Sequence, residues 1–255
     1  MSGRGLLHGQ VALVTGAGGG IGRGIARRLA EEGAAVALHC RTSVASAQET
    51  AVAIREAGGR AVVLRADLTD EDACHRLVAE AAERFGGRLT ALVNNAGVQP
   101  VQELAGMAAA EWRAVVDTNL TAVFACTQAA ALMRDQGGGS VTHVASVEAR
   151  FPAPGHAHYG ASKAAVVMHA RTAALEYGPW GVRVNTVSPG LIDREGLADA
   201  WPEGVRRRRE ASAAGRLGRP EDVGDACVFL ASPLASWVTG HDLVVDGGAT
   251  SRPTW

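Results

Sequence analysis

Eight residues, His156 to Lys163, read HAHYGASK. They hold two histidines separated by one residue, then a tyrosine, then a lysine four places after it. Three uses compete. The histidines would begin a metal site, but a His-x-His pair is too little without a third ligand of clear spacing, so no metal is expected. Tyr159 and Lys163 lie one helical turn apart on one face, a spacing suited to an acid catalyst. The stretch would also serve as the plain start of a surface helix. The choice rests on what the rest of the chain brings to it.

A second group of residues points to a nucleotide. The run TGAGGGIG, Thr15 to Gly22, follows the apolar stretch Val11 to Thr15 and precedes a helical pattern with Ile25 and Leu29 on one face. Its spacing is not GxGxxG, because Ile21 occupies the third glycine place. It is T-G-x-x-x-G-x-G, through Thr15, Gly16, Gly20 and Gly22. Glycine lets the backbone turn tightly and approach a pyrophosphate, and the helix that follows offers free N–H groups to the anion. After the second apolar run the chain reads HCRTS, with Arg41 and no carboxylate. An acidic residue there would favour NAD, whereas an arginine accommodates a 2′-phosphate. NADP(H) is therefore expected over NAD(H). Asp67, in RADLTD, would either hydrogen-bond the adenine edge or cap the helix beginning near Asp70.

The elements that must position these residues alternate. Short β-branched runs begin near Val11, Ala35, Ala61, Thr90, Ser140, Val182 and Asp242. Helical patterns lie between them: from Ile21, over Ala45–Ala57, from Asp70 to Phe85, continuously over Ala109–Arg134, and from His158 to Gly178. The alternation predicts an α/β Rossmann fold, a doubly wound parallel seven-stranded sheet with helices on both faces. No linker breaks it, so residues 1–255 read as a single domain. The polar, Arg-rich stretch 191–218 is expected to be an insertion over the site.

Composition excludes other classes. The chain has 255 residues, is 47% hydrophobic and carries a formal net charge of −1, without the basic excess of a nucleic-acid binder. The one basic run, Arg206 to Arg209, lies among Glu203 and Glu210 and reads as a solvated helix face. Four scattered cysteines without a CxxC pair argue against a disulfide framework or zinc site. MSGRGLLHGQ lacks a signal-peptide core, and no continuous apolar run approaches the ~18 residues of a membrane span. A cytoplasmic protein is expected, with no membrane partner.

These residues together resemble the short-chain dehydrogenase/reductase family in its single-domain form. The resemblance rests on TGAGGGIG, Asp67-Leu68, NNAG at 94–97, Asn119 in DTNL, Ser146, YGASK at 159–163, N-x-x-x-P-G at 185–190 and VVDGG at 244–248. Ketoacyl-carrier-protein reductases and glucose dehydrogenases are similar. The resemblance implies reversible carbonyl reduction and alcohol oxidation, with Tyr159 as general acid or base. Lys163 would lower the tyrosine pKa from its ordinary ~10 and hold the nicotinamide ribose. Ser146 would bond the substrate oxygen, and Asn119 would hold the long helix and a proton relay behind the lysine. Cofactor contacts are implied at Thr15, Gly16, Gly20, Ile21, Gly22, Arg41, Asp67, Leu68, Asn95, Ala96, Gly97, Pro189, Gly190 and Ile192, with Asn94 shaping the same loop. A homotetramer is implied, joined through the long helices and the last strand.

One position departs from the pattern. Arg194 stands where the family often has a threonine that touches the nicotinamide carboxamide. The loop VEARFPAPGHAH would line one wall of the substrate pocket, through Glu148 and His156, with Phe151 and Pro154 as further candidates. Leu191, Ile192, Leu197 and Trp201 would line the other. The substrate is expected to be a small alcohol or carbonyl compound. Alternatives are a catalytically silent NADP(H)-binding regulator, an NAD(H)-dependent alcohol dehydrogenase of the same family, or a non-redox use of the fold.

Overall fold

A computed structural model describes residues 5–251. The outer ends of the expected 1–255 span, including the start of the N-terminal segment, lie outside the described residues. Seven strands form one parallel sheet: β1 (Val11–Val14), β2 (Ala35–Cys40), β3 (Arg60–Arg65), β4 (Ala91–Asn94), β5 (Gly139–Val144), β6 (Val182–Pro189) and β7 (Asp242–Val245). Their order is β3-β2-β1-β4-β5-β6-β7, the doubly wound arrangement that reverses between β1 and β4.

Alternation along each strand builds two cores. Ala12 and Val14 of β1, with Val36 and Leu38 of β2, face α1 (Gly20–Glu31), α2 (Val44–Glu56) and α9 (Pro220–Ala231). Val11 and Leu13, with Ala35 and Ala37, face α3 (Glu71–Glu83), α5 (Ala122–Ala129) and α6 (Ala157–Tyr177). β1, β2 and β4 are buried on both faces, which explains their predominantly apolar character.

The structure departs from the sequence reading in three places. The expected continuous helix from Ala109 is interrupted: α4 (Ala109–Val116) passes through a π turn at Asp117–Thr121 into α5, and the run ends in a 3₁₀ segment at Ala130–Gln136. The 191–218 insertion holds helices of its own, α7 (Leu197–Ala200) and α8 (Pro202–Ala211). Helix α9, which the sequence reading leaves out, follows, with Pro220 at its first position. Within α8, Arg206 pairs with Glu203 and Glu210, and Arg207 with Glu203, so the basic run is a solvated helix face.

By length and mean hydropathy alone, the joined run Ala109–Gln136 is long and apolar enough to cross a membrane. Within the fold, Ala122, Ala125, Cys126, Ala130 and Met133 of this run are buried in the core beside α3 and α6. The four cysteines are buried and free.

Candidate active site

The site lies where the doubly wound sheet requires it, at the carboxyl ends of β1, β4, β5 and β6. Thr15 follows β1, and its hydroxyl accepts hydrogen bonds from Asn95 N (2.9 Å) and Ala96 N (3.0 Å). Asn95 Nδ2 returns bonds to Thr15 O (2.9 Å) and Gly16 O (3.2 Å). Thr15 and Asn95 thus tie the glycine loop to the loop after β4. Gly16 and Gly22 have no room for a side chain. Gly16 has φ +66°, and a Cβ there would lie 2.8 Å from Ala96 Cα. A Cβ at Gly22 would come within 2.2 Å of Gly16 O. By contrast, Gly19 and Gly20 open onto free space at the start of α1, with Ile21 half-buried behind them. This is a backbone cradle at a helix N-terminus, and it fits a pyrophosphate.

His39 of β2 supports the cradle from behind, a role the sequence reading did not anticipate. Gly16 N donates to His39 Nδ1 (3.1 Å), so Nε2 carries the proton and donates to Ala66 O (3.2 Å). Burial holds the ring's pKa below its usual value, which keeps it in this neutral form.

At the adenosine end, Arg41 is exposed beside Asp67, with guanidinium and carboxylate 3.9 Å apart. Arg65 Nε donates to Arg41 O (3.0 Å). Asp67 does not cap α3. Its carboxylate accepts from Thr69 N and Oγ1, and these bonds lower its pKa. Asp70 is the cap, accepting from Asp72 N at 3.0 Å. Leu68 is buried in the core beneath α3.

The catalytic candidates converge from three elements. Ser146 follows β5, is buried, and accepts from Glu148 N at 3.1 Å. Lys163 is buried on α6, and its Nζ donates to Val144 O at 2.7 Å. The Nζ stands 5.7 Å from the centroid of the Tyr159 ring. Asn119 sits in the π turn with no solvent exposure. Its Oδ1 accepts from Val98 N (2.8 Å), and its Nδ2 donates to Val98 O (2.9 Å) and to Ser162 Oγ (3.3 Å). A side chain on Gly97 would press to 3.2 Å from Asn119 Oδ1 and 3.5 Å from Lys163 Nζ, so the β4 loop closes over both.

Burial governs the protonation of the central pair. It pushes the Tyr159 phenol up to about 12; a Ser146 hydrogen bond pulls it back and the Glu148 charge adds to the rise. It also brings Lys163 down to about 8. Loss of solvent sets the direction of the Tyr159 shift, and the neighbouring Lys163 ammonium is engaged by Val144 O.

The α6 start is built locally. Tyr159 N donates to His158 Nδ1 (2.9 Å), and the buried His158 bonds Gln102 Oε1 through Nε2 (2.9 Å). On the pocket wall, His156 and Glu148 pair directly, and Gln99, absent from the sequence reading, joins them. Phe151 is exposed. On the other wall, Pro189 is buried, and a Cβ on Gly190 would meet Asp246 Cβ at 2.9 Å. The 191–218 segment is pinned at its base by a bridge between Ile192 and Gly218, beside a small cluster of Leu191, Leu197, Val205 and Leu217. Trp201, just before α8, folds over Gly204 of that helix and stays half-exposed. Arg194 is exposed in the same segment. Among the described residues, no group of three or more His, Cys, Asp or Glu is placed to hold a metal ion.

The model of a family described as enoyl-(acyl carrier protein) reductase matches residues 16–250. A cis-4-hydroxycyclohexanecarboxylate dehydrogenase of Sinomonas cyclohexanicum is 42% identical over 245 residues, covering 95% of this chain and 97% of that one. The chain belongs to the short-chain dehydrogenase/reductase family. Two solved structures share its fold and hold different cofactors. One is a putative NAD(P)-dependent gluconate 5-dehydrogenase from Beutenbergia cavernae with bound NADP (TM-score 0.89, 37% identity, 98% and 100% of the two chains). The other is a 7α-hydroxysteroid dehydrogenase complexed with NADH and 7-oxo glycochenodeoxycholic acid (TM-score 0.90, 34% identity, 95% and 94%). As a member of this family, the protein is an oxidoreductase of small-molecule alcohol and carbonyl groups that uses a nicotinamide cofactor.

Proposed function

We propose that the protein interconverts an alcohol and a ketone or aldehyde with NADP(H), and that Tyr159 transfers the proton. The observation that carries this reading is the meeting of Ser146, Tyr159 and Lys163 beside the glycine cradle. The bound nicotinamide supplies or accepts the hydride. Thr15, Gly16, Gly20, Ile21 and Gly22 would hold its pyrophosphate, with Asn95, Ala96 and Gly97 alongside and Pro189, Gly190 and Ile192 beneath the ring.

The side chains divide the remaining work. Ser146 would bond the substrate oxygen as negative charge develops on it. In reduction, the phenol of Tyr159 gives its proton to that oxygen. A phenol held near 12 stays protonated at neutral pH and is ready as an acid. In oxidation the proton travels the other way, and Lys163 would stabilise the phenolate that must form first. Asn119 would act through position, fixing the β4 loop against α6 by its bonds to Val98 and Ser162.

Arg41 supports the preference for NADP(H), since it is an exposed guanidinium at the end of β2 with no carboxylate in the NAD-selecting place. A homotetramer is supported by exposed apolar side chains on two faces: Phe124, Met168 and Leu175 on α5 and α6, and Leu234, Trp237 and Val244 around β7. The test of the reaction is Tyr159→Phe on a substrate found with an alcohol and carbonyl panel read at the absorbance of the reduced nicotinamide. Undiminished turnover by the variant would refute the mechanism.

A further inference from the structure

A carboxylate is buried in the last strand of the sheet. Asp242 stands on the edge strand β7, opposite Thr186 of β6, and its side chain is 1% exposed. Oδ1 accepts from Thr186 Oγ1 and from Ser188 Oγ, each at 2.7 Å. Oδ2 is buried and accepts no hydrogen bond among the described residues, but Arg150 Nη2 lies 3.1 Å from it. The guanidinium is therefore its countercharge, and it comes from the loop after β5. Arg150 closes the turn that Ser146 opens. Ser146 caps the 3₁₀ turn Val147–Ala149, its Oγ accepting from Glu148 N at 3.1 Å. Ser146 O accepts from Ala149 N at 3.0 Å, and Val147 O accepts from Arg150 N at 3.1 Å. Just before the serine, Ala145 N donates to Val187 O at 2.8 Å and ties the chain to β6. Beyond the turn, the tie back to the sheet is the pair of Arg150 with Asp242.

We propose that Arg150 and Asp242 are positioning residues that act through Ser146: their ion pair fastens the turn to the edge of the sheet and so fixes where the serine hydroxyl stands. A buried ion pair adds little net stability over an apolar pair of similar volume; what it supplies is one defined geometry. Ser146 needs that geometry, because a donor to a developing oxyanion works only at hydrogen-bond distance from the place where the charge appears. Asp242 serves the opposite wall with its other oxygen. Ser188, which it holds, immediately precedes Pro189 and Gly190. One carboxylate thus sets the serine turn and the end of β6 in register with each other. The proposal rests on the reading of Ser146 as the group that bonds the substrate oxygen.

The test measures oxidation of cyclohexanol, 2-butanol and 1-phenylethanol by the full-length protein with NADP and with NAD, read at the absorbance of the reduced cofactor. Arg150→Met is expected to lower kcat/KM by about 10- to 100-fold, mainly through kcat, with reduced-cofactor affinity unchanged. Arg150→Lys, which keeps the charge, is expected to recover part of the loss. The Ser146→Ala background separates positioning from mere stabilisation. There Arg150→Met is expected to cost nothing further, because the group it positions is gone. A general destabilisation would cost the same factor in both backgrounds. Arg150→Met with Asp242→Asn removes both charges and is expected to stay impaired, whereas a defect caused only by an unpaired buried carboxylate would be relieved. Amide hydrogen exchange supplies a readout without substrate: protection at Glu148 and Ala149 is expected to fall about tenfold in Arg150→Met while β6 keeps its own. Full activity in Arg150→Met, equal losses in the two backgrounds, recovery in the double variant, or unchanged exchange in the turn overturns the proposal and leaves the Ser146 reading intact. Undiminished turnover by Ser146→Ala, or no turnover of any of the three alcohols, overturns the underlying reading and the proposal with it.

Discussion

His143 offers a direct test of the electrostatics beneath the site. It lies on β5 with no solvent exposure. Its tautomer can be deduced from its neighbours. Thr127 spends its one hydroxyl proton on Val123 O (2.7 Å), so it can only accept from Asn94 Nδ2 (3.3 Å). That fixes the Asn94 amide, whose second proton points to His143 Nδ1 (3.2 Å). Nε2 of His143 must then carry the hydrogen and donate to His169 Nδ1 (3.3 Å). A second proton on His143 would face the Asn94 donor with no acceptor. Burial, followed by the His169 and Lys163 charges, brings its pKa down to about 3.

The sign follows from linkage. Unfolded, the ring takes a proton near 6.5; folded, it resists until about 3. Between those values the unfolded chain binds the extra proton, so stability is full above the unfolded value and falls with falling pH. The slope is about 1.4 kcal/mol per pH unit, or about 2 kcal/mol lost between pH 7.5 and pH 5 from this residue alone. For a chain of this size that is a Tm decrease of about 4–8 °C. In His143→Asn, Oδ1 takes the acceptor position without titrating. Its stability at pH 7.5 is expected to be lower, from lost packing. Its decline between pH 7.5 and 5 should be shallower by about 2 kcal/mol, measured by urea unfolding at one protein concentration. Superimposable pH dependences for the two proteins would refute the reasoning.

Further outcomes are expected. Arg41→Ala should weaken NADPH binding by about 10- to 100-fold, the loss of a charge-assisted phosphate contact, and NADH by under about threefold; fluorescence titration giving equal losses would count against the 2′-phosphate contact. Lys163→Met should abolish turnover without lowering Tm, since removing a buried ammonium relieves a desolvation cost of up to about 3 kcal/mol that offsets the lost bond to Val144 O; a clear drop in Tm would argue against this. Gly22→Ala should lose cofactor binding, as its Cβ would meet Gly16 O and Asn95 Nδ2; unchanged cofactor affinity by calorimetry would show that the cradle can give way.

The parts of the fold that were legible in the sequence are those set by local pattern. Strands buried on both faces announce themselves as unbroken apolar runs, as in VALV of β1. The glycine loop is legible because Gly16 and Gly22 have no room for any other residue. Ser146, Tyr159 and Lys163 are legible because two of them share a helix face and the third closely follows a strand. What escaped depends on contacts between distant residues. Nothing in DTNLT distinguishes a π turn from an α turn; the bonds of Asn119 to Val98, 21 residues away, accompany it. Gln99 reaches Glu148 across 49 positions. The direction of the Tyr159 shift comes from the depth of its burial, which no spacing encodes. The helices of the 191–218 segment were obscured by polar composition, since its buried apolar cluster holds few residues, Leu197, Val205 and Leu217 with Leu191 against them.

The π turn also sets a limit on engineering this protein. It accommodates one residue more than an α turn would, between α4 and α5. Deleting a residue from Asp117–Thr121 would give a straighter and more regular helix, the change a stability screen rewards. The turns on either side would keep their phase, because the π turn already absorbs the extra residue. Cys126 and Met133 would stay in the core and Phe124 on its exposed face. Asn119, inside the turn, would lose the placement by which it clasps Val98 and Ser162. The irregularity thus serves the active site and not the packing of the helix. Selection for thermal resistance alone would tend to erase it.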